Sequence, residues 1–352
     1  MTPPSERRPL PPVVDDPAPG NGRGRKPAAP PEAAQPPVAP RPGWLPGVVV
    51  RAYGKFFEVE LRDEPRVLLA TVKGSLKRER RRTDLVAVGD RVWVSDLGAG
   101  EAQIELIEPR QRALSRLARH TSDIEQVILA NPDQALFLFS VREPEPHRRM
   151  LDRFLVLAEA AGLPAIVGVN KMDLDVAAPE GHGRGLAETI FGDYLPIYDV
   201  RFMSVATGAG LERLREDLAG KVTAIAGPSG VGKSSLLNAL HPEVHRPVGA
   251  ISEATGKGRH TTTATQLYRV GPETFVADTP GIRALALHGV PPETLDRYFP
   301  EFRAYLGQCF YPDCTHLHEP GCAVLDALDA GAIPPARYES YAAMRRGEED
   351  RG

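Results

Sequence analysis

The stretch Gly227-Pro228-Ser229-Gly230-Val231-Gly232-Lys233-Ser234-Ser235 lies between an apolar run, VTAIA, and a helix-like run, LLNAL. Its G-x-x-x-x-G-K-S spacing at a strand-to-helix junction is that of a phosphate cradle. The glycines let backbone N–H groups wrap around phosphate oxygens. Lys233 would reach β- and γ-phosphates, and the Ser234 hydroxyl would ligate Mg2+.

A second set of residues names the base. Asn170-Lys171-Met172-Asp173 ends another apolar run, PAIVGV. The Asp173 carboxylate can accept from the N1–H and exocyclic amine of guanine, a donor pair that adenine lacks, while Asn170 and Lys171 brace base and loop. Ser204-Val205-Ala206-Thr207-Gly208 has the small-residue character of a loop backing the guanine, with Val205 departing from the usual Ser-Ala start. Asp278-Thr279-Pro280-Gly281 would hold Mg2+ through water at Asp278 and sense the γ-phosphate at the Gly281 N–H. Between cradle and Asp278, Gly258-Arg259-His260-Thr261-Thr262-Thr263 occupies the place of a switch loop, with one of Thr261, Thr262 and Thr263 sensing magnesium. Together these segments read as a GTPase. Ile282 stands where many GTPases carry a water-orienting glutamine, so intrinsic hydrolysis should be slow. His260 is the nearest candidate to orient the water instead.

All three cysteines, Cys309, Cys314 and Cys322, fall within fourteen residues as C-x4-C-x-H-x5-C. With His316 they offer three thiolates and an imidazole, a closed tetrahedral zinc set with no open position and hence a structural role. His318 competes as fourth ligand; spacing favours His316.

The elements that must position these residues differ along the 352-residue chain. Residues 1–43 are rich in Pro, Ala, Gly and Arg, and read as a disordered tail. From Trp44 to residue 113, five short β-like runs (GVVVRAYG, FFEVEL, RVLLATV, DRVWVSD, AQIELIE) predict a small OB-type barrel, a fold suited to binding RNA. Between its third and fourth strands, KGSLKRERRR places six basic residues and one acid in ten positions. Residues 114–288 alternate strand and helix, predicting a parallel α/β domain with ligands at the strands' carboxyl ends. Residues 289–352 carry the Cys/His cluster in a mainly helical zinc-binding domain. The formal net charge is only −3, so no whole-chain basic excess announces a nucleic-acid partner. No apolar run approaches transmembrane length, no export signal is visible, and the cysteine count is odd. The expectation is a cytoplasmic protein without a membrane partner.

The set and order of these motifs resemble the ribosome small-subunit-dependent GTPase A (RsgA/YjeQ) family. The carriers are the barrel strands with Val88-Gly89-Asp90, then Ala130-Asn131-Pro132-Asp133-Gln134, NKMD, the phosphate cradle, GRHTTT, DTPG and the Cys/His spacing. The resemblance implies a circularly permuted GTPase that binds the small ribosomal subunit and its rRNA late in maturation, with GTP and GDP as nucleotides and the subunit stimulating hydrolysis. It also explains why the base reader precedes the cradle. Joining a G domain's old termini and cutting new ones keeps every strand of the sheet. A monomer is expected, since a subunit-binding switch needs no symmetry. The competing readings are a permuted GTPase of the large subunit and a zinc-containing RNA-binding protein whose nucleotide site is structural.

Overall fold

The computed structural model describes residues 39–64, 66–74, 76, 85–117, 125–176, 185–241, 265–278 and 290–348. The expected tail up to residue 38, the basic residues 77–82, His260 with Thr261–Thr263, and Gly281 with Ile282 lie outside them. No helix among the described residues is long and apolar enough to cross a membrane.

Five strands close the barrel: β1 (Leu45–Tyr53), β2 (Phe56–Leu61), β3 (Val67–Val72), β4 (Arg91–Gly98) and β5 (Glu101–Ile107), in the order β1-β2-β3-β5-β4. Closure comes from β3 pairing parallel with β5, and from β1 pairing β2 along one part and β4 along another. Alternate residues point inward, as the period of two demands. Val49, Val59, Leu68, Ala70, Val94 and Ile104 are sealed in the barrel core.

Next comes an antiparallel ribbon, β6 (Ala113–Leu117) with β7 (Glu125–Ala130), where immediate strand–helix alternation was expected. Its strands, ALSRL and EQVILA, are short and carry no clear alternation of apolar and polar residues. The ribbon and the Val88-Gly89-Asp90 turn form the joint between barrel and sheet. The Gly89 N–H donates to Val49 O and the Ala130 N–H to Val88 O. Arg110 grips the sealed Asp90 carboxylate at 2.7 and 2.8 Å, and Asn131 Nδ2 donates to Gly89 O. At Gly89 (φ +89°) an added Cβ would stand 2.1 Å from Ala130 O, so only glycine fits the joint.

The six-stranded sheet comprises β8 (Gln134–Ser140), β9 (Ala165–Asn170), β10 (Asp199–Phe202), β11 (Val222–Ala226), β12 (Gln266–Gly271) and β13 (Thr274–Asp278), ordered β10-β9-β8-β11-β13-β12. All pair parallel except β12, which runs antiparallel to β13 at the edge. With the cradle strand β11 taken as first and the chain continued from β13 into β8, spatial order becomes second-third-first-fourth-fifth-sixth. That is the permutation written in the topology. Helices α1 (Arg148–Ala160) and α2 (Leu186–Phe191) cover one face; α3 (Leu211–Leu218) and α4 (Lys233–Leu240) cover the other. Both faces of β8 are therefore dry, and all seven of its residues are buried.

The C-terminal part consists of 3-10 turns over Pro292–Tyr298 and Pro300–Phe302, then α5 (Ala323–Asp329) and α6 (Pro335–Arg345). Its apolar cluster, with Phe299, Phe302, Val324, Ile333 and Tyr341, takes in Val156 from α1. The fully buried Arg337 of α6 reaches back to Asp152 of α1 at 2.5 Å and to Glu301 at 2.6 Å.

Candidate functional site

Strands β8, β9 and β11 end side by side, and a sheet of this kind binds ligands at the strands' carboxyl ends. From β11 the chain enters the loop Gly227–Gly232 and then the first turn of α4 with Lys233, Ser234 and Ser235. Gly227 (φ +156°) passes so close to β8 that a Cβ would meet Leu138 O at 2.0 Å, and a Cβ on Gly232 (φ +99°) would meet Asn170 Nδ2 at 2.5 Å. Side chains are excluded there, which leaves backbone N–H groups to face an anion. Lys233 Nζ lies over the loop, donating to Gly227 O at 2.9 Å and Pro228 O at 2.6 Å. Ser229 and Val231 complete the loop, Val231 as a buried anchor under α4.

The base-reading residues meet this loop directly. Asn170, buried at the end of β9, donates from Nδ2 to Val231 O at 2.8 Å and accepts at Oδ1 from the Val205 N–H at 3.0 Å. One amide thus ties the phosphate loop, the base reader and the Ser204–Gly208 loop together. Val205 contributes its backbone, so its departure from alanine costs the contact nothing. The turn after β9 puts Lys171 at φ +63° and Met172–Leu174 in a 3-10 turn, with the Met172 N–H on Met203 O. Asp173 is exposed, and Ser204 Oγ donates to its Oδ1. Asp278 ends β13 and pairs with Ile225 of β11, two residues before Gly227. Ser234 and Asp278 therefore sit at the ends of adjacent elements, a hydroxyl and a carboxylate suited to a hard cation beside the phosphates.

Hydrogen bonds make Asn170 a neighbour of the loop before Lys233 and of Val205, and Ser204 a neighbour of Asp173; Ser234 and Ser235 follow Lys233 on α4, Asp278 ends the strand beside β11, and Met172 packs against the core. Sequence reasoning missed the segment after β8, whose Glu143 carbonyl accepts from Lys171 Nζ. Its position at the carboxyl end of a central strand was the available signal.

At the other pole, the ligand atoms of Cys309, Cys314, His316 and Cys322 lie within 4.8 Å of one another. His316 Nδ1 stands 3.3 Å from Cys322 Sγ and 3.5 Å from Cys309 Sγ. Its Nε2 faces Asp296 Oδ2 at 3.5 Å, the carboxylate support expected behind a metal-bound imidazole. His318 is exposed, which decides between the two histidines. Burial pushes the Cys314 thiol up to about 12, and the neighbouring cysteines add to the rise. Three thiolates in such a site require a cation, and the donor set fits one that is tetrahedral and thiophilic. His316 takes φ +58°, and the turn that holds it is organised by Glu319, which accepts from the Thr315, Leu317 and His318 N–H groups at 2.8, 3.1 and 3.2 Å. Burial pushes the Glu319 carboxyl up, but the Thr315 hydroxyl and these amides hold it far below the usual range. Neither Asp296 nor Glu319 bears a sequence signature.

Residues 107–288 match the RsgA GTPase family. The chain is 43% identical over 302 residues to the small ribosomal subunit biogenesis GTPase RsgA of Gemmatimonas aurantiaca, spanning 85% of this chain and 96% of that one. With the protein of the same description from Moorella thermoacetica it shares 39% over 296 residues, 84% and 94% of the two chains. Among solved structures, YjeQ from Thermotoga maritima superposes with a TM-score of 0.69 at 33% identity, over 88% of this chain and all of that one. YloQ, described as a circularly permuted GTPase, gives 0.67 at 29%, over 88% and 96%.

Proposed function

The chain belongs to the RsgA GTPase family, and from that premise we propose how its residues perform GTP hydrolysis in small ribosomal subunit biogenesis. Asp173 reads guanine, with Asn170, Lys171, Met172 and Ser204 shaping its pocket. Gly227 through Ser235 cradle the phosphates, and Lys233 offsets their charge. The observation that carries this reading is Asn170, whose single amide bonds the phosphate loop and the guanine-backing loop at once. Ser234 and, through water, Asp278 would hold Mg2+, which when bound would offset phosphate charge. One of Thr261, Thr262 and Thr263 senses the magnesium, and the Gly281 N–H senses the γ-phosphate. His260 orients the attacking water in place of a glutamine.

The Cys309, Cys314, His316, Cys322 set holds one structural Zn2+. The barrel (44–113), with its basic run, binds rRNA; residues 114–288 are the GTPase domain, 289–352 the zinc domain and 1–43 a disordered tail. The protein acts as a cytoplasmic monomer with no membrane partner.

The test is GTP turnover by the purified chain alone, with small subunits and with large subunits. Slow basal turnover and a large stimulation by small subunits alone are expected. Stimulation by large subunits alone, or none, would overturn the proposal. Asp173→Asn reverses the hydrogen-bond complementarity, so it should weaken GTP binding strongly and improve xanthosine triphosphate binding. Parent-like GTP affinity in that variant would sink the base assignment.

A further inference from the structure

The chain leaves β8 at Ser140 and reaches α1 through residues 141–147, a segment outside every nucleotide motif. That segment touches both the base reader and the phosphate loop. The Val141 N–H donates to Asn170 O at 3.0 Å, extending the β8–β9 pairing up to the base reader. Glu143, at φ +53°, gives its carbonyl to the Lys171 ammonium. Pro144 Cδ lies 3.4 Å from where a Cβ on Gly230 would stand, so its ring packs against the phosphate loop. One side chain ties the segment back to the sheet: Ser140, fully buried, donates its hydroxyl to Pro144 O at 2.8 Å.

Lys171 is thereby fixed at both ends. Its backbone is held in the left-handed turn between Asn170 and Asp173, and its ammonium is held on Glu143 O. A lysine stem otherwise samples many rotamers. Here the ammonium keeps its place on Glu143 O only while the segment from Val141 to Pro144 keeps its path.

We propose that Ser140 is a positioning residue for the nucleotide: through Pro144 and Glu143 it immobilises Lys171 and sets how fast bound GDP leaves. This rests on the assignment of Asn170 to Asp173 as the guanine reader. Ser140 grips the segment at the Pro144 carbonyl, one residue from the Glu143 carbonyl that holds Lys171; the contact of the Pro144 ring with the phosphate loop is a second route, which the double variant below separates from the first. A buried hydroxyl-to-carbonyl bond is modest in net worth, so its loss should speed release by about fivefold rather than abolish binding.

Release of fluorescently labelled GDP from the full chain, followed by stopped flow, tests this. Ser140→Ala should release GDP about fivefold faster, with KM for GTP rising by a similar factor and kcat moving less. Ser140→Thr keeps the hydroxyl and should restore the parent rate. In a Lys171→Ala background, Ser140→Ala should add nothing further, because the effect runs through Lys171. Multiplying rate effects in the double variant would show that the hydroxyl acts on stability generally, and would overturn the proposal. So would an unchanged release rate in Ser140→Ala. If circular dichroism shows that Ser140→Ala does not fold, Ser140→Cys, of similar size but a weak donor, asks the same question. The same acceleration supports the proposal there, and an unchanged rate refutes it. Asp173→Asn separates two failures. Parent-like GDP release in that variant sinks the nucleotide assignment itself, whereas loss of GDP binding there with parent-like release in Ser140→Ala sinks only the role of Ser140.

Discussion

Arg337→Met should loosen the C-terminal part from α1. Arg337 has no solvent exposure, and its two carboxylate partners are nearly as dry, the Asp152 side chain at 1% and Glu301 at 5%. The guanidinium donates to Asp152 Oδ1 at 2.5 Å and to the two Glu301 oxygens at 2.6 and 3.3 Å, with the Phe299 ring centroid at 4.8 Å and that of Tyr194 at 5.4 Å. Burial alone would lower its pKa, but the two carboxylates hold it well above the ordinary arginine value, so it stays charged. Methionine restores much of the volume and leaves two carboxylates stranded. Removing one partner of a buried ion pair costs about 3–5 kcal/mol. For a domain of 150–250 residues each kcal/mol moves the melting temperature by about 2–4 °C, so a fall of about 6–20 °C is expected by calorimetry or circular dichroism. The triple variant Arg337→Met, Asp152→Asn, Glu301→Gln removes every stranded charge and should recover most of that loss. Melting of Arg337→Met within about 2 °C of the parent would refute the reasoning, since it corresponds to about 1 kcal/mol or less.

Three further outcomes follow from the site. The purified chain should contain one Zn2+; Cys314→Ala should lose it and destabilise the C-terminal part, because metal binding and folding are coupled there. Metal content near zero in a reduced, chelator-free parent would refute this. Neutralising Lys77, Arg78, Arg80, Arg81 and Arg82 should weaken small-subunit binding and flatten its salt dependence while nucleotide affinity holds; an unchanged salt slope would make the run a solvated loop. His260→Ala should lose most of the subunit-stimulated rate and keep its GTP affinity, whereas a stimulated rate within about twofold of the parent would leave Lys233, Ser234 and Asp278 as the catalytic set.

The parallel sheet was legible because a strand covered on both faces reads as an unbroken apolar run, as β8 does. The barrel was legible through alternation, with Val59 and Leu61 inward and Glu58 and Glu60 outward along β2. The phosphate loop and the base reader were legible because each packs its chemistry into one short stretch of fixed spacing. What stayed hidden is assembled across the chain. Asp152 and Arg337 are 185 residues apart, and an arginine in an amphipathic helix ordinarily faces water. Asp296 supports His316 from a separate 3-10 turn. Ser140 ends an apolar strand like many serines, and its role comes from where the chain turns afterwards.

Helix α1 has two dry sides, and this bears on how the chain is made. Phe154 and Leu155 pack into the sheet's core, while Val156 belongs to the C-terminal cluster and Asp152 to its buried ion network. The first side meets Phe137 and Phe139 just upstream, and its cluster closes with Phe275 and Ala277. The second must wait for Arg337, 185 residues later. At elongation rates of about 5–20 residues per second, that is a delay of roughly 10–40 s. The sheet itself is complete only at Asp278, so over the last stretch to Arg337, roughly 3–12 s, the G domain leaves Val156 uncovered and Asp152 held by the Tyr194 hydroxyl. A chain terminated before α6 would lack that cover over Val156 and the Arg337 partner of Asp152, although every nucleotide motif had already been synthesised.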